Sequence, residues 1–159
     1  HKTVLIDADL SRPTLHDKLK IVNSVGLSNY MVKNVSSREI LRKTEVDNLW
    51  FIPAGPILPN SSELIEAGVL DELIEELKQQ FDYVIIDSTP AGLVADASLM
   101  IKYASFILLV CRNEYTRKDV FTDVLNLFHT NSIEYFDIVF NDLNLKKSRY
   151  GRYDNYYKQ

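Results

Sequence analysis

Three aspartates stand at the carboxyl ends of short apolar runs, where a parallel sheet would gather them. Asp7 and Asp9 follow Val4-Leu5-Ile6, and Asp87 follows Val84-Ile85-Ile86. In open parallel α/β sheets, ligands bind outside the carboxyl ends of the strands. Carboxylates placed there on separate strands can converge on Mg²⁺, which takes a few protein oxygens and keeps several waters. Arg12, shortly after Asp9, is placed to meet a phosphate oxygen. A single Asp behind a strand also has an ordinary role, capping a helix or turning the chain. The pattern Asp-x-Asp-x-x-Arg-Pro, with a third Asp behind another run, favours a site over three separate caps.

The elements that must hold these residues are legible as alternating patterns. Apolar runs at 3–8, 49–53, 83–87, 106–111 and 135–141 are rich in Val, Ile, Leu and aromatics and mostly lack polar alternation. That is the signature of strands covered on both faces. Between them, Leu70, Leu73, Ile74 and Leu77 form one helical stripe. Asn60 with Glu63 resembles a capping box after Pro59, and Gly68 is placed to end that short helix. Thr116 to Asp119 is a second such start, followed by Val120, Val124, Leu127 and Phe128 on one face. Strands alternating with helices predict an α/β fold, a mainly parallel sheet with helices on both faces.

Composition bounds the alternatives. The 159 residues, 46% hydrophobic and 25% charged, exclude collagen, coiled coil and bulk disorder. A net charge of −4 argues against a surface built to grip nucleic acid. One cysteine, Cys111, excludes an internal disulfide framework and fits a reducing compartment. The longest apolar run, 106–111, is far below the ~20 residues of a membrane span. No signal peptide is visible, so a soluble cytoplasmic domain is expected. His1, His16 and His129 lack metal-ligand spacing, which disfavours zinc. The first Met is Met31, and His1-Lys2-Thr3 lead directly into the first apolar run, so the chain is expected to begin inside a fold.

At this point a family resemblance becomes specific. Val4-Leu5-Ile6-Asp7-Ala8-Asp9-Leu10-Ser11-Arg12-Pro13 resembles the Walker A′ motif of the bacterial tyrosine kinases of capsule and exopolysaccharide export. The segment from Phe81 to Pro90, Phe-Asp-Tyr-Val-Ile-Ile-Asp-Ser-Thr-Pro, resembles their Walker B segment, and that from Gly55 to Leu64 a Pro-rich loop of the same family. Tyr150, Tyr153, Tyr156 and Tyr157 resemble the family's autophosphorylated tyrosine cluster. The similarity runs from residue 2 to about 141, plus the tail. Where the family usually has Pro, this chain has Leu58, Ser61 and Thr89.

The resemblance implies a P-loop NTPase-like, three-layer architecture with deviant Walker motifs. Residues 1–141 would form the kinase-domain portion and 142–159 a mobile tail. It implies ATP and Mg²⁺ as cofactors, with Asp7 and Asp9 organising the metal and activating an incoming tyrosine hydroxyl, and Asp87 completing the metal shell. Arg112 and Asn141 lie near where relatives contact the nucleotide base, and Asp96 lies at a matching position, although ordinary loop and capping roles remain open for all three. The implied partners are a second copy presenting its tail and a membrane activator or polysaccharide copolymerase, fused or separate, which would hold the domain at the inner face of the membrane.

One expected part is missing from these residues. A P-loop needs Gly-x-x-x-x-Gly-Lys-[Ser/Thr], whose amides cradle phosphates. The glycines are Gly26, Gly55, Gly68, Gly92 and Gly151, and no pair has that spacing. The chain is therefore expected to be N-terminally truncated relative to the family and inactive alone. Two rivals remain: a partition- or cell-division-type Walker ATPase, and a non-catalytic relative acting as scaffold or phosphorylation substrate. The basic and aromatic tail could also bind single-stranded nucleic acid or a polyanionic sugar, or be a solvated end, but beside the Walker-type segments the phosphoacceptor reading comes first and nucleic acid is disfavoured.

Overall fold

The computed structural model describes residues 1–91 and 95–143, with the backbone alone at 95 and 96. The chain divides into two compact units, His1–Tyr103 and Ala104–Gln159.

The first unit is built on a four-stranded sheet of order β2-β3-β1-β4. Strands β1 (Thr3–Ala8), β3 (Leu49–Ile52) and β4 (Tyr83–Ser88) are parallel, and the short β2 (Arg42–Lys43) pairs antiparallel with β3. Val4, Ile6 and Ala8 alternate onto one face of β1 and are buried, and Ile52 of β3 joins them in the same core. Over that core, α5 (Asp71–Gln80) lays the predicted stripe Leu73, Ile74 and Leu77. Each such side chain, fully buried, stabilises the fold by about 1.5–3 kcal/mol. Leu27 and Met31 of α2 (Leu27–Met31) and Ile65 of α4 (Ser61–Glu66) complete it. The shorter helices are α1 (Leu15–Leu19), α3 (Ser37–Ile40) and α6 (Ala95–Met100), the last followed by a 3-10 turn at Ile101–Tyr103.

In the second unit, β5 (Ile107–Arg112) and β6 (Phe136–Asn141) pair in parallel, joined through α7 (Lys118–Thr130). Val124 and Phe128 are the buried residues of α7, and the Phe128 and Phe136 rings meet edge to face at 5.0 Å. This is a βαβ unit, as the alternating pattern predicts. Leu108, Val110 and Phe140 remain exposed. No helix of the described residues is long and apolar enough to cross a membrane.

All five expected strands form, each within one residue of its expected bounds. The helix starts differ in detail. Helix α4 begins directly after Asn60, but the Asn60 side chain makes no capping bond and its backbone is not extended. Gly68, at φ 77°, occupies the left-handed conformation that follows the end of that helix. At α7 the expected Thr116–Asp119 box does not form. The Thr116 hydroxyl instead accepts the Arg112 N–H at 2.8 Å, and Asp119 pairs with Arg117.

Candidate functional site

The parallel pairing of β1 with β4 sets Asp7 opposite Asp87 and Ala8 opposite Ser88. Both aspartates lie at the strands' carboxyl ends, as the sequence predicts. Asp7 is fully buried. Its Oδ1 accepts the Asp9 N–H at 3.3 Å, while Oδ2 is buried without a hydrogen-bond partner. Burial pushes the Asp7 carboxyl above its ordinary range, and the charges of Asp87 and Asp9 add to that, against the backbone amides of Asp9 and Leu15. Asp87 is exposed at the surface. Partial desolvation and the nearby charge of Asp9 also raise it, with Lys18 of α1 pulling the other way. Solvent screens the exposed Asp87 carboxylate, so its surroundings act on it less than burial acts on Asp7.

Asp9 is turned into its own loop. Its Oδ1 accepts the Ser11 N–H at 3.2 Å, the Ser11 hydroxyl at 2.8 Å and the Arg12 N–H at 2.9 Å. This Asx turn shapes the segment that carries Arg12 out to solvent. No hydrogen bond or ion pair engages the Arg12 guanidinium among the described residues. The structure thus brings Asp7, Asp9 and Asp87 to one end of the sheet. Among the described residues, no three His, Cys, Asp or Glu side chains stand close enough together to hold a metal ion. A cation nevertheless suits Asp7, whose buried Oδ2 has no hydrogen-bond partner among the described residues. Thr89, two residues beyond Asp87, also buries a hydroxyl with no partner.

The Pro-rich loop after β3 is clamped from within the first unit, by one side chain and by backbone. Asn23 holds Gly55 at both ends, accepting its N–H at 2.7 Å and donating to its carbonyl at 3.1 Å. The N–H groups of Leu27 and Ser28, opening α2, donate to the carbonyls of Pro53 and Ala54, both at 2.8 Å. Gly26 is required there, because a Cβ would lie 2.5 Å from the Gly55 nitrogen and collide with the Pro53 carbonyl.

Arg112 and Asn141 are register partners at the ends of β5 and β6. The Arg112 Nε donates to Asp142 Oδ2 at 2.9 Å, so its guanidinium is engaged by a carboxylate. Tyr150, Tyr153, Tyr156 and Tyr157, like the Asp96 side chain, lie outside the described residues. Lys18 and Asp142 were not legible as site residues. Neither belongs to a spaced motif, and only the fold brings Lys18 near Asp87 and Asp142 to Arg112.

Comparison with known proteins bears on the family and the fold. A family model described as an AAA domain matches residues 1–135. The chain is 30% identical over 159 residues to the tyrosine-protein kinase CpsD of Streptococcus agalactiae, covering 99% of this chain and 69% of that protein. Among solved structures, the chimerical protein CapA2B2 superposes with a TM-score of 0.83 at 30% identity, covering 89% of this chain and 63% of that one. The kinase domain of the Escherichia coli tyrosine kinase ETK gives 0.80 at 28% identity, covering 88% and 55%. The chain therefore spans only part of the length of the proteins it resembles.

Proposed function

Because this chain belongs to the bacterial tyrosine-kinase family and has its P-loop NTPase-like fold, we propose that it is part of an ATP-dependent protein tyrosine autokinase regulating capsular and extracellular polysaccharide synthesis and export. The observation that carries this reading is the pairing of Asp7 with Asp87 at the ligand end of a parallel sheet, with one buried Asp7 oxygen left unpartnered.

Phosphoryl transfer rests on positioning and charge neutralisation more than on covalent chemistry. Asp7 and Asp87, with the remaining oxygen of Asp9, are the residues that would hold Mg²⁺, which when bound neutralises phosphate charge. In this reading Asp7 and Asp9 also activate the incoming tyrosine hydroxyl by accepting its proton. The Arg12 guanidinium, unpaired among the described residues, suits a phosphate oxygen. No Gly-x-x-x-x-Gly-Lys-[Ser/Thr] occurs in the 159 residues, so in this reading the phosphate cradle would be supplied from outside them and these residues by themselves would not transfer phosphate.

The acceptors in this reading are Tyr150, Tyr153, Tyr156 and Tyr157, presented to a second copy. They stand among Lys146, Lys147, Arg149, Arg152 and Lys158, with Asp154 the one acidic residue of that stretch. Such a tail is attracted to an acidic site, and each phosphate adds roughly −1.5 to −2 of charge that reverses the attraction. A membrane activator, fused or separate, would hold the domain at the inner membrane face. Phosphopeptide mapping tests this in a protein joining the sequence to a phosphate-binding loop. Label is expected on the four tail tyrosines. Label mainly on Tyr30, Tyr83, Tyr103 or Tyr135, or unchanged labelling after all four tail tyrosines become Phe, excludes the tail as acceptor.

A further inference from the structure

Thr89 stands where the resembled family usually has Pro, and it brings a hydroxyl to the ligand end of the sheet. Strand β4 ends at Ser88, whose register partner is Ala8, so Thr89 follows directly on the strand that carries Asp87 and comes across from Asp9. The side chain is 2% exposed, and its Oγ1 has no hydrogen-bond partner among the described residues. The backbone around it is constrained. The Thr89 carbonyl accepts the Ser88 hydroxyl at 3.3 Å, and Pro90 behind it disfavours a helical conformation at Thr89.

Packing alone gives a threonine no advantage here. Valine has nearly the same shape and would bury no polar atom, whereas an unpaired buried hydroxyl opposes folding. The neighbouring strand β1 buries a second unpaired atom at the same end of the sheet, Asp7 Oδ2. Two such atoms at the ends of adjacent strands point to a missing group that supplies both positive charge and hydrogens. A hydrated divalent cation does both. It takes few protein oxygens and keeps several waters, whose hydrogens need acceptors. A threonine hydroxyl accepts such a hydrogen, and a proline side chain has no atom that can.

We infer that Thr89 is a positioning residue of the cation site, its Oγ1 accepting a hydrogen from a water that the cation holds. The inference rests on the cation reading of Asp7, Asp9 and Asp87 proposed above, and adds to it an outer contact that the family's usual Pro cannot make. Outer contacts of this kind orient the inner ligands, and losing one typically costs about 10–100-fold in metal affinity.

Mn²⁺ serves as the probe, because electron paramagnetic resonance reads its binding with no nucleotide and no turnover. In the 159-residue chain, Thr89→Val should weaken Mn²⁺ binding about tenfold, whereas Thr89→Ser should stay near the wild-type affinity. Without the ion, Thr89→Val should melt about 2–4 °C higher, since it removes an unpaired hydroxyl, and added Mn²⁺ should narrow that gap. A merely structural threonine would move the melt and leave the Mn²⁺ affinity alone. Equal Mn²⁺ affinity in the wild type and Thr89→Val overturns the inference. So does a lower melting temperature of Thr89→Val without the ion, which would mean that the hydroxyl is already satisfied inside the fold. An absence of bound Mn²⁺ in the wild-type chain at millimolar ion overturns it as well. If Asp87→Asn weakens Mn²⁺ binding and Thr89→Val does not, the Thr89 inference fails and the cation reading stands. If Thr89→Val weakens it while the protein joined to a phosphate-binding loop transfers no phosphate, the inference stands and the kinase reading fails.

Discussion

Asp7 and Asp87 occupy the same register position on adjacent parallel strands, the first fully buried and the second open to solvent. A buried carboxyl with an unpartnered oxygen opposes folding when ionised, a cost that the proposed phosphoryl chemistry would account for.

The pH dependence of stability follows from that burial. Below the ordinary carboxyl value of 3.8, Asp7 is neutral in both folded and unfolded chains and its ionisation costs nothing. As pH rises, the unfolded chain ionises first, so stability falls until pH passes the raised value of the folded state. Asp7→Asn should therefore stabilise the fold near pH 7 by about 1–3 kcal/mol. Each kcal/mol raises the melting temperature by about 2–4 °C. The advantage should vanish near pH 3. A gain of equal size at both pH values, measured by thermal denaturation, would mean that Asp7 acts by packing instead.

The clamp on the Pro-rich loop predicts an intolerant glycine. Gly26→Ala sets a methyl against the backbone of Pro53 and Gly55, which cannot swing aside as a flexible side chain would. Urea denaturation should show a loss of about 1–3 kcal/mol, typical of overpacking. A loss below about 0.5 kcal/mol, the scale of an ordinary surface change, would contradict the close approach.

Hydrogen exchange should separate the two units. β1 is paired on both sides and its core-facing residues are buried, whereas β5 and β6 form a two-stranded pair with Leu108, Val110 and Phe140 exposed. A two-stranded sheet is marginal by itself. The amides of β1 should be the most protected and those of β5 and β6 markedly less so. Equal protection in the two sheets would show that the second unit is covered in solution.

Much of this architecture could be read from residue patterns, because the strands are continuous apolar runs and α5 leaves a full stripe, although the expected cover on both faces is not met by β4, β5 and β6, which keep apolar residues such as Ile85, Leu108 and Phe140 exposed. The two-residue β2 and the helices α1, α2 and α3 escaped, being too short for periodicity to register. Helix α3 did carry a local signal. Glu39 accepts both the N–H and the hydroxyl of Ser36, at 2.9 and 2.7 Å, in a Ser-x-x-Glu spacing. Asp7, Asp9 and Asp87 were legible because strand ends mark ligand sites. Their inequality was not, since it depends on what covers Asp7 and on the Asx turn that occupies one oxygen of Asp9. Asp142 and Lys18 depend on tertiary placement and leave no spacing to find.

The 159-residue chain should bind ATP–Mg²⁺ poorly, because the acidic end of the sheet meets the nucleotide's phosphates without a cradle of amides. Isothermal titration decides this, and clear micromolar binding would refute it. Joining the sequence to a phosphate-binding loop should restore binding.

Phosphotransfer by that joined protein, compared among Asp7→Asn, Asp9→Asn and Asp87→Asn, tests the central claim most directly. The carboxylates are read as groups that hold charge at the reacting phosphate, so each substitution should lower transfer from ATP by about 100-fold or more, while the far-ultraviolet circular dichroism and the cooperative melt are retained. Near-normal autophosphorylation in all three variants would make these aspartates caps and turn formers and remove the site from the sheet end.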